Sequence, residues 1–191
     1  MREFERQTGR LRGLPLASRV VYSGFLLFVL IGLVVSVLLA REMVGLDLAG
    51  VDEYYAGEVP LPDEGNHSTA GPAMDLPPEL DEQVEPEPRS LRATLEVTHF
   101  HLFSMPLHWM VLAHLFAMST FRRFRTTIIV GGALALTAHL LAPWVARTGS
   151  AWSKTFYAGS GILMGTFFLI MALVPLVEMW RPKRAAGEGG A

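Results

Sequence analysis

Of the chain's six histidines, five fall in two stretches that are otherwise apolar: His99, His101, His108 and His114 in one, His139 in another. Imidazole is the commonest metal ligand among side chains and a frequent axial ligand of haem iron. It also costs free energy in a low-dielectric setting, so histidines in such stretches tend to mark ligands, proton routes or contacts between helices. The sequence has no cysteine, which excludes disulfides, thiolate metal sites, CxxC redox chemistry and cysteine nucleophiles. No Ser, His and Asp arrangement suits a hydrolase, and no glycine loop suits a phosphate.

Helical geometry sorts the histidines. His101 and His108 lie about 20° apart around a helix and about 10 Å apart along it, on one face at two depths. His99 and His114 are about 60° and about 22 Å apart. A pair of haems stacked across a membrane would use two helices with two histidines each, and here only one helix has them. One copy of the chain therefore holds at most a single haem or metal, with His139 opposite His101 or His108. Counted from the outer ends of the two stretches, His139 falls between those two levels, about 5 Å from either. Met105 is level with His139, and Met164 is nearly level with His108, so mixed His and Met ligation is also open. Pro106, which removes a helical hydrogen bond and bends the helix, could close the offset.

The metal-ligating candidates are thus His99, His101, His108, His114 and His139. The candidates for holding a haem b or a transition metal are His101, His108, His139, Met105 and Met164. The alternative needs no cofactor: His99 and His101 meet water at the outer interface, while His108, His114 and His139 hydrogen-bond across helices for about 1 kcal/mol each. Proton or ion conduction would call for carboxylates within the spans, and Glu96 and Glu178 read as span ends. No catalytic set emerges, and the chain is not expected to be an enzyme on its own.

The elements that must position these residues are membrane spans. A hydrocarbon core of about 30 Å takes about 20 apolar residues, and the uncharged run at residues 20–40 meets that length. Further runs at 97–120, 127–146 and 156–177 give four spans and an all-α membrane fold. The first run is longer than a signal-peptide core and lacks a small-x-small cleavage site, so an uncleaved anchor is expected. Arg2, Arg6, Arg10, Arg12 and Arg19 precede the first span (residues 1–19). Arg122, Arg123 and Arg125 lie in the turn 121–126, and Arg181, Lys183 and Arg184 in the tail 178–191. Eleven of the sixteen basic residues therefore share one side, which the positive-inside rule makes cytoplasmic, N-in and C-in.

Residues 41–96 form a long outer loop with fourteen Asp and Glu, three Arg and seven of the twelve prolines. No amphipathic period is evident in it, and residues 57–89 are expected to be extended or disordered, a tether or docking surface. Its charge could steer a basic partner. The sequon Asn66-His67-Ser68 has meaning only in a eukaryotic secretory pathway. The links 121–126 and 147–155 are short and force the last three spans to be antiparallel neighbours. Gly161 and Gly165 form a GxxxG in the fourth span, and Gly32 and Ser36 a small-xxx-small pair in the first. Both are expected to be helix-packing positions, toward this chain or a partner. Trp144, Trp152, Tyr157 and Trp180 read as interface anchors, and the deeper Trp109 as packing.

Thr98-His99-Phe100-His101 with Met105, then Arg122-Arg123, then the stretch from Gly159 to Gly165 that ends in Met164-Gly165, and finally Glu178-Met179-Trp180 resemble a family of small uncharacterised bacterial inner-membrane proteins. In that family a Thr-His-x-His opens one span, and a glycine-rich stretch ending in Met-Gly opens the last. The resemblance covers about Glu96 to Trp180. It implies a bacterial inner-membrane location and carries over no activity. His108 and His114 are not part of that pattern.

Two functions follow as expectations. One is a small haem- or metal-binding component of an electron-transfer assembly in the membrane. The other is a non-catalytic accessory subunit of a larger membrane complex. The expected partners are lipid and another membrane protein or further copies of the chain. Nothing points to nucleic acid.

Overall fold

The computed structural model describes residues 10–45, 48, 50–56 and 90–182. Among these, a short 3-10 turn, Arg10–Gly13, leads into five α-helices and no strand: α1 Leu16–Val44, α2 Gly50–Ala56, α3 Leu91–Ala117, α4 Arg125–Ala146 and α5 Ser153–Trp180. All but α2 are long and apolar enough to cross a membrane.

The helices overrun the apolar runs that mark them. Helix α1 starts at Leu16 rather than residue 20, α3 at Leu91 rather than 97, and α5 ends at Trp180 rather than 177. Apolar length measures the hydrocarbon crossing, whereas backbone hydrogen bonding continues through polar residues until something caps it. At the start of α3 that cap is Ser90, whose Oγ accepts from Ala93 N at 3.1 Å. Helix α1 closes on Gly45, whose φ of 73° suits glycine and whose N–H donates to Arg41 O. Helix α3 stops at Ala117, short of residue 120, and the chain turns through Phe124, which has a φ of 58°.

Two sets of contacts define the ends of the bundle. At the arginine-bearing end, Trp180 Nε1 donates to Ser23 Oγ at 2.9 Å and Thr120 N donates to Glu178 Oε2 at 2.7 Å. At the opposite end Trp144 Nε1 donates to Thr98 Oγ1 at 3.1 Å and Arg147 Nη1 to Thr94 Oγ1 at 3.4 Å. The four long helices therefore run alternately up and down. Between the ends lies one apolar core built from Leu26 and Val29 of α1, Leu112 and Phe116 of α3, Leu136 of α4, and Phe168 and Met171 of α5.

The tightest pairing joins α4 to α5. A Cβ on Gly131 would come within 3.0 Å of the Phe167 ring, and one on Gly132 within 3.0 Å of the Met171 methyl. These adjacent glycines make the close approach. The anticipated GxxxG does not make it within this chain: a Cβ on Gly161 meets only His139, at 3.8 Å, and one on Gly165 meets nothing within 4 Å.

The segment after α1 holds a structured start that its composition did not suggest. In α2, Val51, Tyr54 and Tyr55 stand at i, i+3 and i+4, a single apolar face too short to register as a period. Val51 and Tyr55 are buried with Val44 and Ala146, and the Tyr55 ring lies 5.5 Å from that of Tyr157. Residues 57–89, including the sequon, lie outside the described residues.

Candidate functional site

The histidines of α3 do not form one cluster. His99 is exposed, with its ring edge-on to Phe103 at 5.0 Å. His114 is exposed near the helix end. His108 is exposed too; its Nδ1–H donates to Ser104 O at 2.6 Å, and its ring stacks on Phe25 of α1 at 6.1 Å. It faces α1 rather than α4. No group of three or more His, Asp or Glu able to hold a metal ion occurs among the described residues.

His101 on α3 and His139 on α4 are both half-buried. His108 is turned toward Phe25 of α1, while His139 lies near Gly161 of α5. Helix α3 begins at Leu91, six residues or about 9 Å before the span end from which heights were counted, whereas α4 ends at Ala146 as assumed.

The two rings have different hydrogen bonding. His101 Nδ1–H donates to Val97 O at 2.7 Å, one turn back on its own helix. A carbonyl can only accept, so the proton of the neutral ring is on Nδ1 and the lone pair is on Nε2. A metal-ligating imidazole is commonly oriented in this way, by a hydrogen bond from its other nitrogen. His139 Nδ1 is buried with no hydrogen-bond partner. Leaving such an atom unmatched costs about 1–3 kcal/mol. Across from it on α5, Gly161 has no side chain, and even a Cβ there would stay 3.8 Å from that nitrogen.

Direct contacts fix the helices around the pair. Trp144 bonds Thr98 toward the end opposite the arginines, and Trp109 Nε1 donates to Ile129 O at 3.2 Å nearer the arginine-bearing end. Trp109 also packs against the core, and Met105 does so next to it. Met164 is buried in that core, 6% exposed.

Glu178 requires a correction. It reads as a span end, yet it is 4% exposed, and it is a buried carboxylate. Its Oε2 accepts from Thr120 N, and its Oε1 lies 3.8 Å from Arg12 Nε. Around it Arg19 donates to Arg12 O and Leu14 O, and Arg125 Nη2 to Ser119 O at 2.9 Å. These bonds tie the chain segments together at the arginine-bearing end, far from the histidine pair. The signal available in sequence was the isolated acid among apolar neighbours in the last turn of a helix.

The first helix is the least covered. Gly32 and Ser36 are both exposed, and a Cβ on Gly32 would meet nothing within 4 Å. Val34, Val35, Val37, Leu38 and Leu39 are exposed beside them.

Residues 45–186 match the model of a family described as a transmembrane helical domain, Aq_1264. No curated protein and no solved structure matches the chain.

Proposed function

Because the chain belongs to the Aq_1264 transmembrane helical domain family and is an integral membrane protein, we propose that it acts as a non-catalytic accessory component of a larger assembly in a bacterial inner membrane. The observation that carries this reading is the bare face of α1, where Gly32 and Ser36 stand exposed at small-xxx-small spacing. Small residues four apart let helix backbones approach closely in lipid. Among the described residues no helix occupies that face, so the spacing serves a helix of another membrane protein or of a second copy. The gathering of arginines at one end of the bundle supports an N-in, C-in orientation, and the acidic loop then faces a partner outside. Cross-linking from Gly32→Cys in native membranes, followed by purification in mild detergent, tests the reading. A discrete adduct, lost in Gly32→Leu, is expected. A chain that stays monomeric and uncross-linked would overturn it.

A second reading is favoured by the unmatched His139 nitrogen: a ligand bound between His101 and His139. The Trp144–Thr98 and Trp109–Ile129 bonds hold α3 and α4 in direct contact on both sides of the pair. That spacing suits a single ion better than a porphyrin. Elemental analysis and an optical spectrum of the reduced protein distinguish the two, and the absence of both a stoichiometric metal and a haem band would overturn this reading.

A further inference from the structure

We propose that the turn joining α3 to α4 is a headgroup site for an anionic phospholipid, with Arg122 and Arg123 on its phosphodiester and Phe124 against its acyl chains.

Charge selects the partner. Among the described residues the arginine-bearing end carries Arg12, Arg19, Arg122, Arg123, Arg125 and Arg181 against one acid, Glu178. That acid is already engaged: it is buried, accepts from Thr120 N and lies 3.8 Å from Arg12 Nε. Arg19 and Arg125 are committed to backbone carbonyls of their own segments. Arg122 and Arg123 are exposed, and neither guanidinium has a carboxylate or carbonyl partner among the described residues. An anion therefore meets two free guanidinium groups. The ammonium of a zwitterionic headgroup would find no free carboxylate there among the described residues, so complementarity favours the anionic lipid.

Residue type selects phosphate. Topology is served by lysine as well as by arginine, yet every described basic side chain at this end is arginine. Guanidinium presents a planar fork that takes phosphate oxygens two at a time, which a lysine ammonium does not.

The aromatic residues set the site at the lipid boundary. The turn reads Phe121-Arg122-Arg123-Phe124, so charge and ring alternate within four residues. The Phe121 ring lies 5.9 Å from that of buried Phe116 and rests on the bundle. Phe124 is 59% exposed and takes no part in the apolar core, and the guanidinium carbon of Arg123 is 4.9 Å from its ring centre. An apolar body beside a charged head suits the boundary between acyl chains and headgroups. Phe124 is held there at a φ of 58°, a conformation disfavoured for a bulky residue and open to glycine. Residues kept in such conformations cluster at ligand clamps, and packing within the bundle gives this ring no other reason to stand there.

The test is native mass spectrometry of the full chain, stripped of lipid in a neutral detergent and titrated with phosphatidylglycerol or phosphatidylcholine. One phosphatidylglycerol per chain is expected, held more tightly than phosphatidylcholine. Arg122→Gln and Arg123→Gln should each weaken it about fivefold, the share of one arginine near an anionic surface. Arg92→Gln, exposed and paired with Glu96 at the opposite end, should not. Phe124→Gly relaxes the backbone and removes the ring, so lipid binding should weaken while the thermal midpoint holds or rises. The same variant serves if an arginine variant does not insert. Equal binding of the two lipids, or phosphatidylglycerol binding unchanged when Arg122→Gln and Arg123→Gln are combined, would overturn the proposal and leave these arginines a topogenic role alone. Displacement of the lipid by inorganic phosphate would assign the turn to a soluble anion and overturn it as well. A midpoint that falls in Phe124→Gly with lipid binding intact would overturn the role given to Phe124.

Discussion

Glu178 Oε2 accepts the backbone amide of Thr120 at 2.7 Å, so the last turn of α5 caps the turn that leaves α3. The same carboxylate is 3.8 Å from Arg12 Nε, which brings the segment before α1 to the same point. Replacing Glu178 with Ala strands a buried amide and a cation, and should lower stability by about 1–3 kcal/mol. Glu178→Gln keeps an acceptor for Thr120 and should cost less. Thermal unfolding in detergent, with Arg12→Ala and the double variant completing a cycle, reads both effects. Equal midpoints for Ala, Gln and the parent would show the cap to be inert.

Gly131 and Gly161 should respond oppositely to the same change. Gly131→Ala puts a methyl into the Phe167 ring and should destabilise the α4–α5 pair by about 1–3 kcal/mol, the usual cost of overpacking. Phe167→Leu in the same chain should restore part of the loss. Gly161→Ala meets only ordinary van der Waals contact with His139, and its unfolding midpoint should stay near that of the parent.

The two tryptophan bonds between α3 and α4 can be measured separately. Trp144→Phe removes the bond to Thr98 Oγ1, and a cycle with Thr98→Val should give a coupling of about 0.6 kcal/mol, a typical value for interhelical bonds in lipid. Trp109→Phe loses both a bond and part of the packing near Gly132, so its effect should be larger. A coupling of zero at Trp144 would mean that the outer ends of α3 and α4 are held by packing alone.

Helix α2 should be detachable without unfolding the bundle. Val51→Asp places a charge against Val44 and Ala146, a burial that is strongly unfavourable. Limited proteolysis of intact protein should then cut within 50–56 much faster, while the thermal midpoint of the four long helices changes little. Unchanged proteolysis would mean that Val51 does not hold α2 in place.

The four long helices were legible because apolar length is a direct count along the chain, and their polar extensions were not, since caps such as Ser90 act outside the lipid. Histidine chemistry was legible by residue type. The surroundings of each ring were not, because they are set by helix tilt and by neighbours on other helices, such as Phe25 against His108. The glycine contact was sought at the spacing of Gly161 and Gly165, but a close approach also requires a bulky side chain opposite, and Phe167 and Met171 face Gly131 and Gly132. Glu178 looked terminal because its neighbours come from Arg12 and Thr120, neither of which lies on its own helix. Helix α2 offers barely two turns, too few for Val51, Tyr54 and Tyr55 to display a period.

Helix α1 takes its packing chiefly from α5, through Leu26, Val29 and the Ser23–Trp180 bond. A ribosome delivers α1 before α5. During synthesis α1 therefore enters the bilayer ahead of the helix that covers it most, with contacts such as the Phe25–His108 stack to α3 available in between. A chain stalled before residue 153 leaves α1 without its main packing partner, which makes its early retention an obligation of the insertion machinery rather than of the finished fold.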